Sequence, residues 1–325
     1  MTGRFLALLM VLMLTVGPLA ALGETDDAFE PVAQKPRVRL IAPTASDGAD
    51  AGRLLRVEAE GTNVSRLELS LSWPEGTIVL RAEGGRMEQT ALLPATHERV
   101  TATLTGYGME GQTAWVSVQL RTPRETLIDD MLGRAQAIAQ DANARFMPAD
   151  DADDPGTCKN FLRGLLEAFA DGYALADAPD ARLAMPLNAD AEDCSPWRYG
   201  VQWAQAADSP YAEAGRFRSD PEQAREENAR QAAELLRMAQ RGDVLQLACN
   251  YVDGNGPHAI LLTQDCDGET LVFADSNRKG TRVGGARYGW AQYGARWTVE
   301  FLAEALAASG CGATLYRLRE DITRR

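Results

Sequence analysis

Two residues that could act as a nucleophile and its base occupy suitable local settings in this chain. Cys158 lies in the run PGTCKNF, where the sequence predicts the start of a helix, and His258, one of two histidines, heads the apolar run AILL. A helix amino terminus lowers the pKa of a thiol through its partial positive charge and unpaired N–H groups. The same N–H groups can stabilise an oxyanion. This pair predicts attack of a thiolate on a carbonyl, with histidine as the base.

A third polar group for the histidine is predicted on the following strand, which ends in Asp275 and Asn277. If residues 267–268 (Asp-Gly) form a two-residue turn, His258 lies opposite Asn277 and Asp275 lies opposite Ile260. A turn one residue earlier places His258 opposite Asp275. Both side chains share the histidine's face of the sheet in either register. We prefer Asp275 as the orienting residue, because a carboxylate also stabilises an imidazolium.

The elements that must position these residues are predicted in the second half of the chain. An Ala-rich helix is predicted within a helical linker at 123–148, and the domain that follows covers 149–325. Its helices are predicted from Cys158 onward and at 221–241 and 299–308, its strands at 242–248, 258–264, 270–274 and 313–318. Residues 172–220 are expected to be irregular and could form a lid or a substrate wall. Helices that precede a sheet indicate an α+β domain.

Residues 36–122 have a different pattern, with short runs of alternating apolar and polar residues between turn-rich pieces. The runs lie at 37–41, 54–59, 66–71, 77–80 and 114–120. This spacing predicts an all-β immunoglobulin-like sandwich, here without an inter-sheet disulfide because the segment has no cysteine. His97 falls between strands and is interpreted as a surface histidine. A spacing or binding role is expected for this domain.

The amino terminus and the overall charge bear on where the protein works. Residues 1–23 combine Arg4 with an uncharged apolar run and small residues before a cleavage site, which predicts a signal peptide and a mature chain starting near Glu24. An uncleaved anchor is the alternative. We expect an exported protein, extracytoplasmic and not bound to the membrane after cleavage. The net charge of −13 argues against nucleic acid as a partner.

Five cysteines in an exported chain predict up to two disulfides and one free thiol. With Cys158 as the free thiol, Cys194, Cys249, Cys266 and Cys311 can pair in three ways, or some can be buried thiols. The scattered cysteines and single strand histidine lack the close ligand spacing of zinc sites. We therefore expect neither a metal nor a cofactor.

Two short motifs resemble a known family. The run GTCKNF at 156–161 resembles the Gly-x-Cys-x-x-aromatic start of the CHAP branch of the papain-like NlpC/P60 superfamily, and GDVL at 242–245 resembles the strand that precedes that family's histidine. The resemblance implies a papain-like fold and a bacterial cell-wall hydrolase that cuts peptide or amide bonds in peptidoglycan. It also implies Cys158 as nucleophile, His258 as base, and Asp275 or Asn277 as the orienting residue.

Other interpretations stay open at this point. Transglutaminase-like and bacteriocin-processing (C39-like) enzymes, which act on proteins, order their Cys, His and Asp in the same way. A catalytically idle papain-like domain displayed by the sandwich as a surface binding protein is a further alternative, favoured if Cys158 is disulfide-bonded. Trp197, Tyr199 and Trp203 could line a substrate cleft or belong to the core.

Overall fold

The structure is a computed structural model that describes residues 34–48, 54–93, 96–151, 154–184, 209–247, 258–278, 284–308 and 310–325. The predicted signal peptide lies outside these ranges, as do Trp197, Tyr199 and Trp203. Residues Lys35–Arg325 cluster as one compact unit. None of the helices in the described ranges is long and apolar enough to cross a membrane.

The first part of the unit is a sandwich of two antiparallel sheets. Its seven strands are β1 (Arg37–Ala42), β2 (Leu54–Thr62), β3 (Arg66–Trp73), β4 (Gly76–Glu83), β5 (Arg86–Leu92), β6 (Thr101–Tyr107) and β7 (Thr113–Gln119). One sheet has the order β1-β2-β5 and the other the order β4-β3-β6-β7. The immunoglobulin-like all-β prediction is confirmed. The sequence patterns had indicated five of these strands and missed β5 and β6.

Alternation of side chains builds the core of the sandwich. In β3, Leu67, Leu69 and Leu71 are fully buried, while the residues between them face outward. Residues of the facing sheet, such as Val57 and Met87, fill the same core. Period-two burial on both sheets lets the two inner faces pack without a disulfide.

The second part of the unit is built on a seven-stranded antiparallel sheet. Its strand order is β10-β15-β11-β12-β13-β14-β8. These strands are β8 (Phe146–Pro148), β10 (Tyr211–Arg218), β11 (Val244–Leu247), β12 (His258–Leu262), β13 (Thr270–Arg278), β14 (Tyr288–Thr298) and β15 (Gly312–Leu318). A separate two-stranded sheet joins β9 (Tyr173–Leu175) to β16 (Ile322–Arg324).

Helices cover both faces of the large sheet. They are α1 (Pro123–Gln140), α2 (Cys158–Glu167), α3 (Arg225–Arg237) and α4 (Val299–Leu306), with a short 3-10 helix at Ala170–Gly172. The apolar faces of α1 and α2 form one core with Ala259, Leu261 and Ala274. Those of α3 and α4 form a second core on the other face, with Ile260 and Phe273 among its members.

Helix α1 occupies most of the segment predicted as a helical linker. It begins at Pro123 because Thr122 and Glu125 form a reciprocal capping box, with the Thr122 side chain accepting from the Glu125 N–H and the Glu125 carboxylate accepting from the Thr122 N–H. Its residues Leu127 and Met131 are buried in the first core. The helix therefore packs into the same core as one face of the large sheet.

Two segments differ from the sequence expectation. The segment 172–220, expected to be irregular, contains β9 and the edge strand β10, which pairs with β15 from Tyr211 to Arg218. The segment 123–148, expected to be a helical linker, ends in the strand β8, which pairs with β14. These strands are short or lie at a sheet edge, so their sequences lack a two-sided apolar pattern.

Candidate active site

Cys158 is the first residue of α2, and the loop before it is clamped to the sheet. The buried Ser276 hydroxyl donates to the Gly156 carbonyl at 2.8 Å, and the Gly156 N–H donates to the Pro148 carbonyl at 2.8 Å. A Cβ on Gly289 would lie 1.8 Å from the Gly156 oxygen. Because only two glycines permit this backbone approach, the position of the thiol is fixed by β8, β13 and β14.

The Cys158 sulfur accepts a backbone hydrogen bond at the end of the β12–β13 ladder, where strand β13 no longer pairs with β12. The ladder pairs Leu261 with Ala274 and Leu262 with Phe273, and the Thr263 N–H, on the β13 side of the chain, donates to Val272. Since N–H groups alternate along a strand, the Ala259 N–H also points to the β13 side. It donates to the Cys158 sulfur. The helix start is thus inserted where β12 and β13 separate.

His258 is the first residue of β12 and is 1% exposed. Its backbone carbonyl accepts a hydrogen bond from the buried Gln246 side chain at 3.2 Å. Its ring lies edge-on to Trp297, with centroids 6.3 Å apart. Trp297 in turn packs against Phe273 in a tilted arrangement, with centroids 4.4 Å apart. Backbone and ring are therefore both held, which restricts the imidazole to one orientation.

The partner of the imidazole is Asp275. The His258 Nε2 atom lies 2.9 Å from Asp275 Oδ2, and both side chains are buried. Gln292, directly across the β13–β14 ladder, donates to Asp275 Oδ1 at 3.4 Å. The ring nitrogen that remains, Nδ1, is available to the thiol, which is hydrogen-bonded to the His258 side chain.

The strand register is the one expected for an Asp-Gly turn at 267–268. Continuing the Leu261–Ala274 pairing along both strands brings His258 opposite Asn277 and Ile260 opposite Asp275. The imidazole reaches Asp275 diagonally. Asn277 is also buried and lies on the same face of β13 as Asp275. The structure thus brings Cys158, His258, Asp275 and Asn277 to one end of the sheet.

The electrostatics of the site favour an ion pair. Burial raises the pKa of the Cys158 thiol, but His258 and the N–H groups of Ala259 and Lys159 lower it by more, so this pKa lies below its ordinary value. Burial lowers the pKa of the His258 imidazole, but Asp275 and Cys158 raise it by more. The arrangement can therefore hold a thiolate and an imidazolium together, ready for attack on a carbonyl.

This ion pair has a measurable consequence for alkylation. We expect Cys158 to react with iodoacetamide at pH values where an ordinary thiol, with a pKa of about 8.5, is protonated. The rate falls only when the pH drops through the lowered pKa of Cys158, because protonation removes the thiolate. Mass spectrometry of the alkylated fraction between about pH 4 and pH 9 measures this profile.

The His258→Ala variant is the control for that profile. Removing the imidazole takes away the hydrogen bond and charge that lower the pKa of Cys158, so the profile is expected to move to higher pH. Cys266, the other free thiol of the described residues, is followed in the same spectra. Coincidence of the Cys158 profile with that of a small-molecule thiol contradicts the ion pair.

The remaining sequence expectations have mixed outcomes. Cys158 is a free thiol, as expected, but Cys266 is free too, so two disulfides are excluded and at most one can form. Each of the three predicted pairings needs a bonded Cys266 and is therefore wrong. Cys194 and Cys249 lie outside the described residues. His97 is partly exposed, 3.4 Å from Glu98, and belongs to the sandwich.

Sequence reasoning did not identify three supporting side chains, Ser276, Gln292 and Gln246. Ser276 lies between Asp275 and Asn277 in the sequence. Because side chains alternate along a strand, its side chain could have been predicted on the opposite face, where α2 packs. Gln292 and Gln246 gave no local signal, because their roles depend on pairing with distant strands.

Within the described ranges, no group of three or more His, Cys, Asp or Glu side chains is arranged to hold a metal ion. No protein-family model matches the chain, and no curated protein matches it. Among solved structures, fibronectin(III)-like modules of Clostridium thermocellum CbhA match 26% of this chain and 95% of their own, with 18% identity and a TM-score of 0.21. At that score the match adds nothing to the sandwich assignment, which rests on the observed strand order.

Proposed function

We propose that the second domain is a papain-like cysteine hydrolase of the NlpC/P60 type, closest to the CHAP branch. Cys158 is the nucleophile, His258 the base and Asp275 the residue that orients and stabilises the imidazolium. The observation that carries the proposal is the continuous hydrogen-bonded chain from the Cys158 thiol through His258 to Asp275. A thiol, an imidazole and a carboxylate in this order form a complete nucleophilic unit.

The reaction follows from the charges of these groups. The Cys158 thiolate attacks the carbonyl carbon of an amide, and the backbone N–H groups at the start of α2 stabilise the oxyanion. The His258 imidazolium gives its proton to the leaving amine, which leaves a thioester on Cys158. Water, deprotonated by the neutral imidazole, then attacks the thioester and frees the thiol and the acid product.

The free thiol of Cys158 argues against the alternative of a catalytically idle surface binding protein. A sulfur in a disulfide cannot attack, but Cys158 is unbonded and its pKa is lowered. A domain without activity has no need of a buried imidazole bonded to a buried carboxylate. These features favour a working enzyme over a binding module.

The substrate part of the proposal is the peptide or amide bonds of bacterial peptidoglycan, reached by an exported protein. It is supported by the resemblance of GTCKNF and GDVL to the cell-wall hydrolase family. The test incubates the purified protein with peptidoglycan, and the control is the same protein alkylated at Cys158. Mass spectrometry of released fragments is expected to show new amino termini only with the unmodified protein, and their identity names the bond cut.

Other results of this test have defined meanings. If the protein cleaves protein substrates and not peptidoglycan, the assigned activity changes from a cell-wall hydrolase to a C39-like peptidase. Release of ammonia from glutamine side chains, with acyl transfer to amines, indicates a transglutaminase-like enzyme. If none of these substrates is cleaved and Cys158 does not react with iodoacetamide, the proposal of an enzyme is wrong. The surface binding protein is then favoured.

A further inference from the structure

A row of side chains runs from the active site across the sheet. Trp290 pairs with Asn277 on one side and with Phe146 on the other, and the register places Asn277 opposite His258. Directly opposed residues lie on the same face of a sheet. Trp290 lies one strand away from Asn277, at a spacing of about 4.8 Å.

The outer end of this row is aromatic and reachable by solvent. Trp290 is 36% exposed and Phe146 is 43% exposed, and their ring centroids are 6.0 Å apart. The Arg145 guanidinium lies over both rings, 4.8 Å from the centroid of Phe146 and 5.6 Å from that of Trp290. Stacking on two rings holds a guanidinium in place while its edge stays available for hydrogen bonds.

The charge of Arg145 has no counterpart in the described part of the chain. Arg145 forms no ion pair there, although many other arginines do, for example Arg317 with Asp243. Its Nε atom is buried and has no hydrogen-bond partner. The chain carries 46 acidic residues, so the absence of a carboxylate at this guanidinium is notable. A buried N–H without an acceptor is costly. A ligand carboxylate that pairs with the rest of the guanidinium would offset this cost.

The aromatic cluster of Arg145, Phe146 and Trp290 also borders the nucleophile loop, which is the loop that precedes Cys158. Gly289, the residue before Trp290, makes the close backbone approach to Gly156, two residues before Cys158. A chain that reaches from the thiol along the sheet therefore meets the cluster within a few residues' length.

We infer that Arg145, Phe146 and Trp290 form a substrate subsite that binds a carboxylate on the peptide whose amide bond is cut. The guanidinium pairs with the carboxylate, and the aromatic rings pack against the adjoining apolar part of the peptide. This inference rests on the proposed function, because it assigns the substrate class of the same active site.

The test measures binding separately from cleavage. Cys158→Ala protein is titrated by calorimetry with a synthetic peptidoglycan stem peptide in two forms, with free carboxylates and with carboxamides. We expect the free form to bind about tenfold more tightly, as for a charge-assisted hydrogen bond. Adding Arg145→Gln is expected to remove this preference. Arg145→Lys keeps the charge but not the planar fork and is expected to give an intermediate preference.

Arg134→Gln is the matched control, because Arg134 is an exposed arginine on α1 and its loss changes the net charge equally. It is expected to keep the preference. Equal binding of the two peptide forms, an equal loss in Arg134→Gln, or no binding of either form overturns the subsite. If Cys158-dependent cleavage persists without the preference, the subsite alone fails. If the preference is found without cleavage of any substrate, the proposed function fails.

Discussion

Replacing Cys158 by alanine is expected to lower hydrolysis by at least about 10⁴-fold, since removal of a nucleophile leaves only binding and oxyanion contacts. The fold should persist, because Cys158 is half-buried at the start of α2 and its loop is held by Ser276 and the Gly156–Gly289 contact. We expect the free energy of unfolding to change by less than about 1 kcal/mol. Product formation and denaturant unfolding, measured on the same preparation, check both parts.

Cys266→Ala is the matched control for this variant. Cys266 is the second free thiol, half-buried, and packs against the core on the α3 and α4 face of the sheet, away from the nucleophile loop. Its removal is expected to leave hydrolysis unchanged within about twofold. A large loss with Cys266→Ala, or retained activity with Cys158→Ala, would show that a different group performs the attack.

The second large effect is expected at Asp275. In Asp275→Asn the amide can still contact His258 Nε2, so the fold is retained, but it no longer stabilises the imidazolium and can favour the wrong tautomer. Hydrolysis is expected to fall by roughly 10²–10⁴-fold. The free energy of unfolding should fall by about 1–3 kcal/mol, as the buried imidazole loses its charged partner. Steady-state kinetics and denaturant titration measure the two effects.

Asn277→Ala tests whether the carboxylate or the amide orients the histidine. Asn277 is buried beside the site and opposite His258 by register, whereas the imidazole is bonded to Asp275. We expect Asn277→Ala to lose less than about tenfold in activity. A greater loss in Asn277→Ala than in Asp275→Asn would reverse the assignment and make the amide the orienting group.

The sandwich illustrates how far local pattern carries a prediction. Strands such as β3 are indicated by leucines at every second position, because one face packs against a partner sheet. The buried face of strand β6 carries Ala102, Leu104 and Gly106, of which only Leu104 is large and apolar. Strand β5 is largely polar. Their burial depends on what the neighbouring strands supply, so their sequences alone gave little signal.

The seven-stranded sheet shows the same limit of local pattern at its edges. Strand β14 begins with Tyr288, Gly289 and Trp290 in a glycine-containing stretch that has no simple alternation, partly because a bulge shifts its register at Gly294. Strand β10 was not predicted, because the segment 172–220 that contains it has several prolines and was expected to be irregular. Central strands such as β12, by contrast, are continuous apolar runs and were easily predicted.

The sequence by itself determined the residue types of the site, the helix start at Cys158, and two possible registers of the β12–β13 hairpin, because these depend on neighbours close in the chain. Only the tertiary structure decided that His258 reaches Asp275 diagonally, that the thiol occupies the gap between β12 and β13, and that Arg145 lies over Phe146 and Trp290. Each of these depends on which distant strands pair and where they separate. Local propensity does not encode that choice, since it follows from packing two cores against one sheet.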